Sequence, residues 1–282
     1  MNHWNTRALG LALAGLAGAL AWSQLPPPQP LMLIKITDDL HVLEGSGGNV
    51  ALLTTSEGTI IVDDKFAPNV PQIYEAAKKL SDKPIRYLLN THHHGDHTGG
   101  NAGMMAKEPV EILAHANARD RMIKNAMPGI PRVGYRDAIT VGLGGSEVRA
   151  IHFGRGHTDG DAVIFLPKHR VIHMGDLFSV AGPLIDYANG GSAIEWTKTL
   201  DAALALDFDT VIPGHGPILK KADLREYRNK IVSMVTQMRE LRSKGLSKDD
   251  AVKAFDAKPM GWESNKMLPA RVLPGLYDEV GK

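Results

Sequence analysis

One ten-residue stretch, Thr91-His92-His93-His94-Gly95-Asp96-His97-Thr98-Gly99-Gly100, constrains the chain more than any other. Imidazole is a good ligand for zinc, iron and related ions, and a carboxylate beside it adds the charge that offsets theirs. His92 and His94 are two residues apart in a stretch that reads as an extended loop, so their rings point the same way. Asp96 and His97 fall one step further and can turn toward a second ion. The glycines at 95, 99 and 100 supply the backbone freedom that such a tight wrap needs. His93 alternates away from the others, which predicts a solvent-facing or supporting role for it.

The flanking pattern says where this loop sits. Ile85 to Leu89 reads as a buried strand, and helical spacing resumes near Asn101. Strand, ligand-rich loop, then helix is how α/β folds place chemistry at the carboxyl ends of their strands. Upstream, Leu33 to Thr37, His41 to Leu43, Asn49 to Thr54 and Thr59 to Val62 read as strands, the last two forming a hairpin around Ser56-Glu57-Gly58. Asn69 to Leu80 has apolar residues at helical spacing. The second half repeats this grammar, with strands at Val110 to His115, Val148 to Phe153, Ala162 to Leu166, Val171 to Met174 and Thr210 to Ile212. Helices are expected at 117–125 and 194–206, then over a long amphipathic tail in which Ser247-x-x-Asp250 resembles a capping box. The Pro/Gly segment 127–134 reads as a loop that could cover the site. Two halves of strands and helices, each ending in ligands, predict one α/β domain, a four-layer αβ/βα sandwich, over residues 33–282.

Composition closes off other chemistries. There is no cysteine, which excludes disulfides, thiolate ligands, a Cys nucleophile and a lipid-bearing N-terminal Cys. Lys plus Arg (32) nearly balance Asp plus Glu (31), so nothing points to a nucleic acid or a membrane surface as partner. Residues 1–21 read as a signal peptide: Arg7, an apolar run from Ala8 to Trp22, and Ala19-Leu20-Ala21 as a small-x-small cleavage pattern. A Pro-rich linker follows to residue 32. The expected location is therefore periplasmic or secreted, with no stable membrane anchoring after cleavage.

The cluster resembles the H-x-H-x-D-H signature of the metallo-β-lactamase superfamily, as His92-x-His94-x-Asp96-His97. Downstream, Gly156-His157-Thr158-x-Gly160-Asp161, Gly175-Asp176 and Gly214-His215-Gly216 resemble the family's later motifs, in its order. The resemblance implies one ion on His92, His94 and His157 and a second on Asp96, His97 and His215, with Asp176 between them. Two Zn2+ are the implied cofactors, with iron or manganese as alternatives. A shared carboxylate and hydroxide would offset the repulsion between the ions, and Asp96 would orient or deprotonate the metal-bound water. Asp63, ending the strand Ile60 to Val62, resembles the family's supporting acid behind a ligand histidine. Asn189, in Tyr187-Ala188-Asn189-Gly190-Gly191, stands where some β-lactamases of this class place an oxyanion-binding asparagine. His115, His152, His169 and His173, in or beside strands, read as core or edge residues.

Departures from the subfamilies shape the expected function. The main branch of class B β-lactamases has a cysteine where this chain has Asp176. Glyoxalase II shares the Thr-His-His-His-x-Asp-His run and the bridging aspartate, yet its last motif differs from Pro213-Gly214-His215-Gly216-Pro217. The expectation is a dinuclear hydrolase of a small carboxylic ester, lactone or amide, β-lactams included. The alternatives are a glyoxalase II-like thioesterase, a mononuclear iron dioxygenase acting on a persulfide, or a binding protein with a vestigial site. The tail helices either pack on the sandwich or mediate a homodimer.

Overall fold

The computed structural model describes residues 29–281. The expected signal peptide and most of the linker lie outside the described residues. Met32, assigned to that linker, already belongs to the first strand. Among the described residues, no helix is long and apolar enough to cross a membrane.

Thirteen strands form two sheets among the described residues. The first takes β1 (Met32–Lys35), β2 (Leu40–Glu44), β3 (Val50–Thr54), β4 (Thr59–Val62), β5 (Ile85–Leu89), β6 (Glu111–His115) and β7 (Val133–Tyr135) in chain order. β1 to β4 form an antiparallel meander, and β4 to β7 are parallel. The second sheet runs β13 (Leu219–Lys220), β12 (Thr210–Ile212), β11 (Val171–His173), β10 (Val163–Leu166), β9 (Ser146–Ile151) and β8 (Ala138–Leu143). Its one parallel pair is β11 with β12.

Parallel neighbours need a crossover, and the helices supply it. α1 (Val70–Leu80) links β4 to β5; its apolar Val70, Ile73 and Ala77 share one face, and Pro71 sits in the first turn, where a missing N–H costs nothing. α2 (Gly95–Thr98) and α3 (Asn101–Lys107) lead from β5 to β6, and α4 (Ala116–Lys124) from β6 to β7. α5 (Ala193–Leu204) joins β11 to β12. α6 (Lys221–Ser243), α7 (Lys248–Ala254) and α8 (Leu273–Glu279) close the chain. Ser247 does cap α7, its hydroxyl accepting from the Asp250 N–H at 3.2 Å.

Alternation along the strands sorts the core into layers. Ala51, Leu53, Ile60, Val62, Leu89 and Leu113 pack against Ile164, Leu166, Val171 and Ile212 of the other sheet. Their alternate neighbours Val50, Leu52, Ile61, Leu88 and Ile112 face α1 and α3. On the far side, Phe165, Ile172 and Val211 meet α5 and the α6 residues Leu224, Tyr227, Ile231 and Met238. Helix, sheet, sheet, helix is the expected four-layer sandwich, and the tail packs on it.

Outside β4, β5 and β12, the ends of most predicted elements shift by a residue or two. The segment 127–134 differs in kind: it carries the start of β7, and its Gly129 carbonyl accepts from the Asn101 side chain at 3.0 Å, which fastens it to α3.

Candidate metal centre

Five loops at one end of the sandwich bring the chemistry together. Asp63 follows β4, His92 to His97 follow β5, His157 lies between β9 and β10, Asp176 follows β11, and His215 follows β12. Four of these loops leave the carboxyl ends of parallel strands, the expected place.

The stretch 92–97 is not one extended loop. His94 has extended backbone and caps α2, so Asp96 and His97 stand in a single helical turn, and the His97 ring lies 4.3 Å from that of His92. That turn is gripped from both sides: Gly48 N–H donates to the Asp96 carbonyl at 2.9 Å and Asp64 N–H to the His97 carbonyl at 2.8 Å. The loop of His157 is closed by Asp161, whose carboxylate accepts from the Thr158 N–H (2.9 Å) and hydroxyl (2.6 Å). Burial pushes the Asp161 carboxyl up to about 7. Trp196 of α5 donates its indole N–H to the Leu177 carbonyl at 3.2 Å, holding the turn that carries Asp176. Asn49 donates to the carbonyls of Pro213 (2.9 Å) and Gly216 (2.8 Å), bracketing His215 from the first sheet.

Two donor groups result. His92, His94, His157 and Asp176 form one; Asp96, His97 and His215 form the other. Asp176 lies between them. Its Oδ1 is 3.1 Å from His97 Nε2 and 3.2 Å from His215 Nε2, while its Oδ2 is 3.6 Å from His157 Nε2 and 4.0 Å from His92 Nε2.

Proton counting shows what these groups are built to hold. His157 Nδ1 is 2.6 Å from the Leu184 carbonyl, so that nitrogen carries the hydrogen. His94 Nε2 meets Asp186 Oδ2 at 2.9 Å, and His97 Nδ1 meets Asp63 Oδ2 at 2.7 Å; both donate. The Thr91 hydroxyl spends its proton on Asp63 (2.7 Å), so His92 Nδ1, 3.1 Å from that oxygen, donates to it. In the neutral imidazoles of His92, His94, His97 and His157 the inward nitrogen is then a bare lone pair. His94 Nδ1 and His157 Nε2 face each other at 2.8 Å, His97 Nε2 and His215 Nε2 at 3.3 Å, and His92 Nε2 is buried with no hydrogen-bond partner. Lone pairs converging in a buried space repel, and a shared cation relieves them. The residues present therefore fit metal ions, each imidazole being oriented from behind as ligand histidines usually are.

The electrostatics of the two groups differ. Burial holds His92 well below the ordinary histidine range and His157 down to about 4, so these two rings are neutral imidazole. Burial opposes charge on His97 and His215 too, but Asp176 with Asp63 or Asp96 outweighs it; His215 rises to about 9 and His97 well above its usual value. The second group thus sits in a field of carboxylates.

Several supporting residues gave no separate sequence signal. Asp186 lies 92 positions from the His94 that it holds. Lys65 is fully buried and donates to the Gly48 carbonyl at 2.6 Å, in the left-handed backbone region (φ 58°). Gly48 itself cannot carry a side chain, because a Cβ would lie 2.1 Å from the His97 ring. A third donor group, His93 with His94 and Asp186, adjoins the first. His93 is buried, which removes the solvent-facing alternative for it. Asn189, expected as an oxyanion contact, donates its side-chain amide to Asp186 Oδ2 at 2.7 Å, beside the acid that holds His94. Asp63 is completely buried and serves both His97 and Thr91. His115 and His173 are buried as expected, and His115 stacks on His152 at 3.9 Å.

The family model of the metallo-beta-lactamase superfamily matches residues 43–215, the span that carries all of these loops. Among curated relatives, the chain is 28% identical over 163 residues to the 2,4-dinitroanisole O-demethylase subunit alpha of Nocardioides sp. strain JS1661, covering 56% of this chain and 49% of that one. It is 26% identical over 181 residues to metallo-beta-lactamase type 2 of Bacillus cereus, covering 62% and 69%. The chain thus spans about half to two thirds of the length of these relatives. A solved metallo-beta-lactamase from Pontibacter korlensis has the same fold, with a TM-score of 0.64 at 20% identity, covering 71% of this chain and 98% of that one.

Proposed function

The chain belongs to the metallo-β-lactamase superfamily of metal-dependent hydrolases, and from that premise we propose that it hydrolyses a small carboxylic ester, lactone or amide at a pair of metal ions, zinc in the first instance. The observation that carries this reading is Asp176, which turns one oxygen toward each donor group. Bound there, divalent ions supply Lewis acidity toward a carbonyl oxygen and lower the pKa of water toward neutrality. His92, His94 and His157 would hold one ion, and Asp96, His97 and His215 the other.

The chain's own residues do the rest. Asp63 and Asp186 accept from His97 Nδ1 and His94 Nε2, which turns the other nitrogen of each ring toward the ions. The Asp96 carboxylate is partly exposed and 3.3 Å from His215 Nε2, placed to orient a water or accept its proton. Exposed apolar side chains stand next to the site: Val180 packs against Gly216, and Phe66 adjoins Gly47. They suit a small organic substrate, and a strained cyclic amide such as a β-lactam lies within that class. Thioesters are the second reading, favoured by the Thr91 to His97 run together with Asp176.

Zinc-loaded protein assayed against nitrocefin, a homoserine lactone and a thioester tests the proposal. Turnover of the lactone or nitrocefin supports it, turnover of the thioester alone selects the second reading, and turnover of none overturns both. Elemental analysis separates these from an oxygenase of the same fold: two metals per chain are expected, and a single iron with oxygen uptake would overturn the hydrolase assignment.

A further inference from the structure

Between the first donor group and the tail of the chain lies a cavity of about 350 Å3, lined by His94, Leu184, Ile185, Asp186, Tyr187 and Arg271, among others. Its volume is at the lower end of the range of small-molecule sites. Its inner edge is fixed to the metal centre. The Leu184 carbonyl accepts from His157 Nδ1 at 2.6 Å, and Asp186 accepts from His94 Nε2 at 2.9 Å. Anything seated there touches His94 and the acid behind it, next to the first donor group.

Its outer edge is Arg271, which comes from outside the stretch matched by the family, residues 43–215. The backbone that carries it is unusual. Residues Leu268–Val272 form a single π-helical turn, closed by the Leu273 N–H donating to the Leu268 carbonyl. Pro274 follows and lacks the N–H that a regular helix would send to Ala270, which accounts for the widened turn. Leu268, Val272 and Leu273 are buried in the core against the second sheet, while Arg271 is exposed at the cavity. Rigid anchors thus hold a charged side chain at the mouth. Arg271 has no ion pair or hydrogen bond among the described residues. The acid sharing the cavity, Asp186, is already engaged by His94 and Asn189.

We propose that Arg271 is a binding residue for a carboxylate on the substrate, so that the preferred substrates are anionic esters, lactones or amides whose carboxylate lies a few bonds from the scissile carbonyl. This rests on the hydrolase reading and narrows it. A guanidinium offers paired N–H donors that match a carboxylate, and its charge survives at any pH the fold tolerates. The wall of Leu184, Ile185 and Tyr187 takes the chain between the two ends.

Two probes test the assignment: mono-4-nitrophenyl glutarate, which is anionic, and 4-nitrophenyl butyrate, which is neutral. In the zinc-loaded protein the ratio of their kcat/KM values should favour the glutarate. Arg271→Ala should lower that ratio at least tenfold, mainly through KM, and Arg271→Lys should restore part of it. Raised salt should shrink the ratio in wild type and leave it flat in Arg271→Ala. An unchanged ratio in Arg271→Ala, with both esters still hydrolysed, overturns the role of Arg271 and leaves the hydrolase reading standing. Hydrolysis of neither ester counts against the hydrolase reading, and calorimetry of glutarate binding then decides on Arg271: weakening of at least fivefold in Arg271→Ala supports the site, and equal affinity or no binding to wild type overturns it.

Discussion

The Asp63 carboxylate meets His97 Nδ1 at 2.7 Å, and neither side chain has any contact with solvent. The same acid takes the N–H and the hydroxyl of Thr91, which in turn accepts from His92. One buried charge therefore sets the orientation of a histidine in each donor group.

Asp63→Asn tests that coupling. Asn accepts the left-handed backbone found here (φ 59°), so the main chain need not move. The lost charge should weaken zinc binding by about 10- to 100-fold, as is typical for a supporting partner of a ligand histidine. Competition with a chromophoric chelator measures this, and unchanged affinity would show that Asp63 is only structural.

Asp176 faces both groups, so Asp176→Ala should remove more than either group alone would predict. The expected result is a fall from two zinc ions per chain to one or fewer, with hydrolysis reduced by more than the ~10- to 100-fold of a supporting residue. His94→Ala should lower the count as well. Elemental analysis after gel filtration gives the number directly, and two ions retained in Asp176→Ala would remove the bridging role.

Gly48→Ala should damage the centre without touching a ligand. The added methyl would fall 2.1 Å from the His97 ring, so the ring or the loop must shift. Overpacking of this kind costs about 1–3 kcal/mol. A lowered melting temperature together with weaker zinc retention is expected; normal values for both would mean that the loop yields freely.

Acid should destabilise the fold partly through His115. Burial first, then the neighbouring His152, holds its imidazole down to about 4, and its Nδ1 accepts from the Asn117 N–H. The unfolded chain binds a proton near pH 6.5 and the folded chain does not, so stability falls as pH drops from about 6.5 toward 4. At pH 5 the difference is up to ~2 kcal/mol. His115→Asn keeps a cap for α4 and should flatten this part of the profile in urea titrations at pH 7 and pH 5. An identical slope in the variant would assign the acid sensitivity elsewhere.

Much of the centre could be read from the chain before folding, and the reason is local. His92, His94, Asp96 and His97 lie within six residues, and short glycine-flanked motifs mark His157, Asp176 and His215. Short β-prone apolar runs likewise predict β4, β5 and β12 to the residue. What escaped depends on distance. Asp186 supports His94 across 92 positions, and Asn49 reaches Pro213 across 164. The contact of Asn189 with Asp186 has no mark in the sequence either, since Asn-Gly-Gly is also an ordinary turn. The π turn at Arg271 is the work of Pro274 and of core packing, and no periodic pattern announces it.

The assignment of donors to sheets has a further consequence. His92, His94, Asp96 and His97 hang from the first sheet, whereas His157, Asp176 and His215 hang from the second. Neither half owns a complete set. A folding intermediate with undocked sheets would grip an ion only feebly, so tight loading is reserved for the closed sandwich. An ion held there acts as a rivet across the seam, adding stability that grows with its free concentration. Metal occupancy would then certify assembly: a protein that has lost its ions has also lost the clasp between its halves.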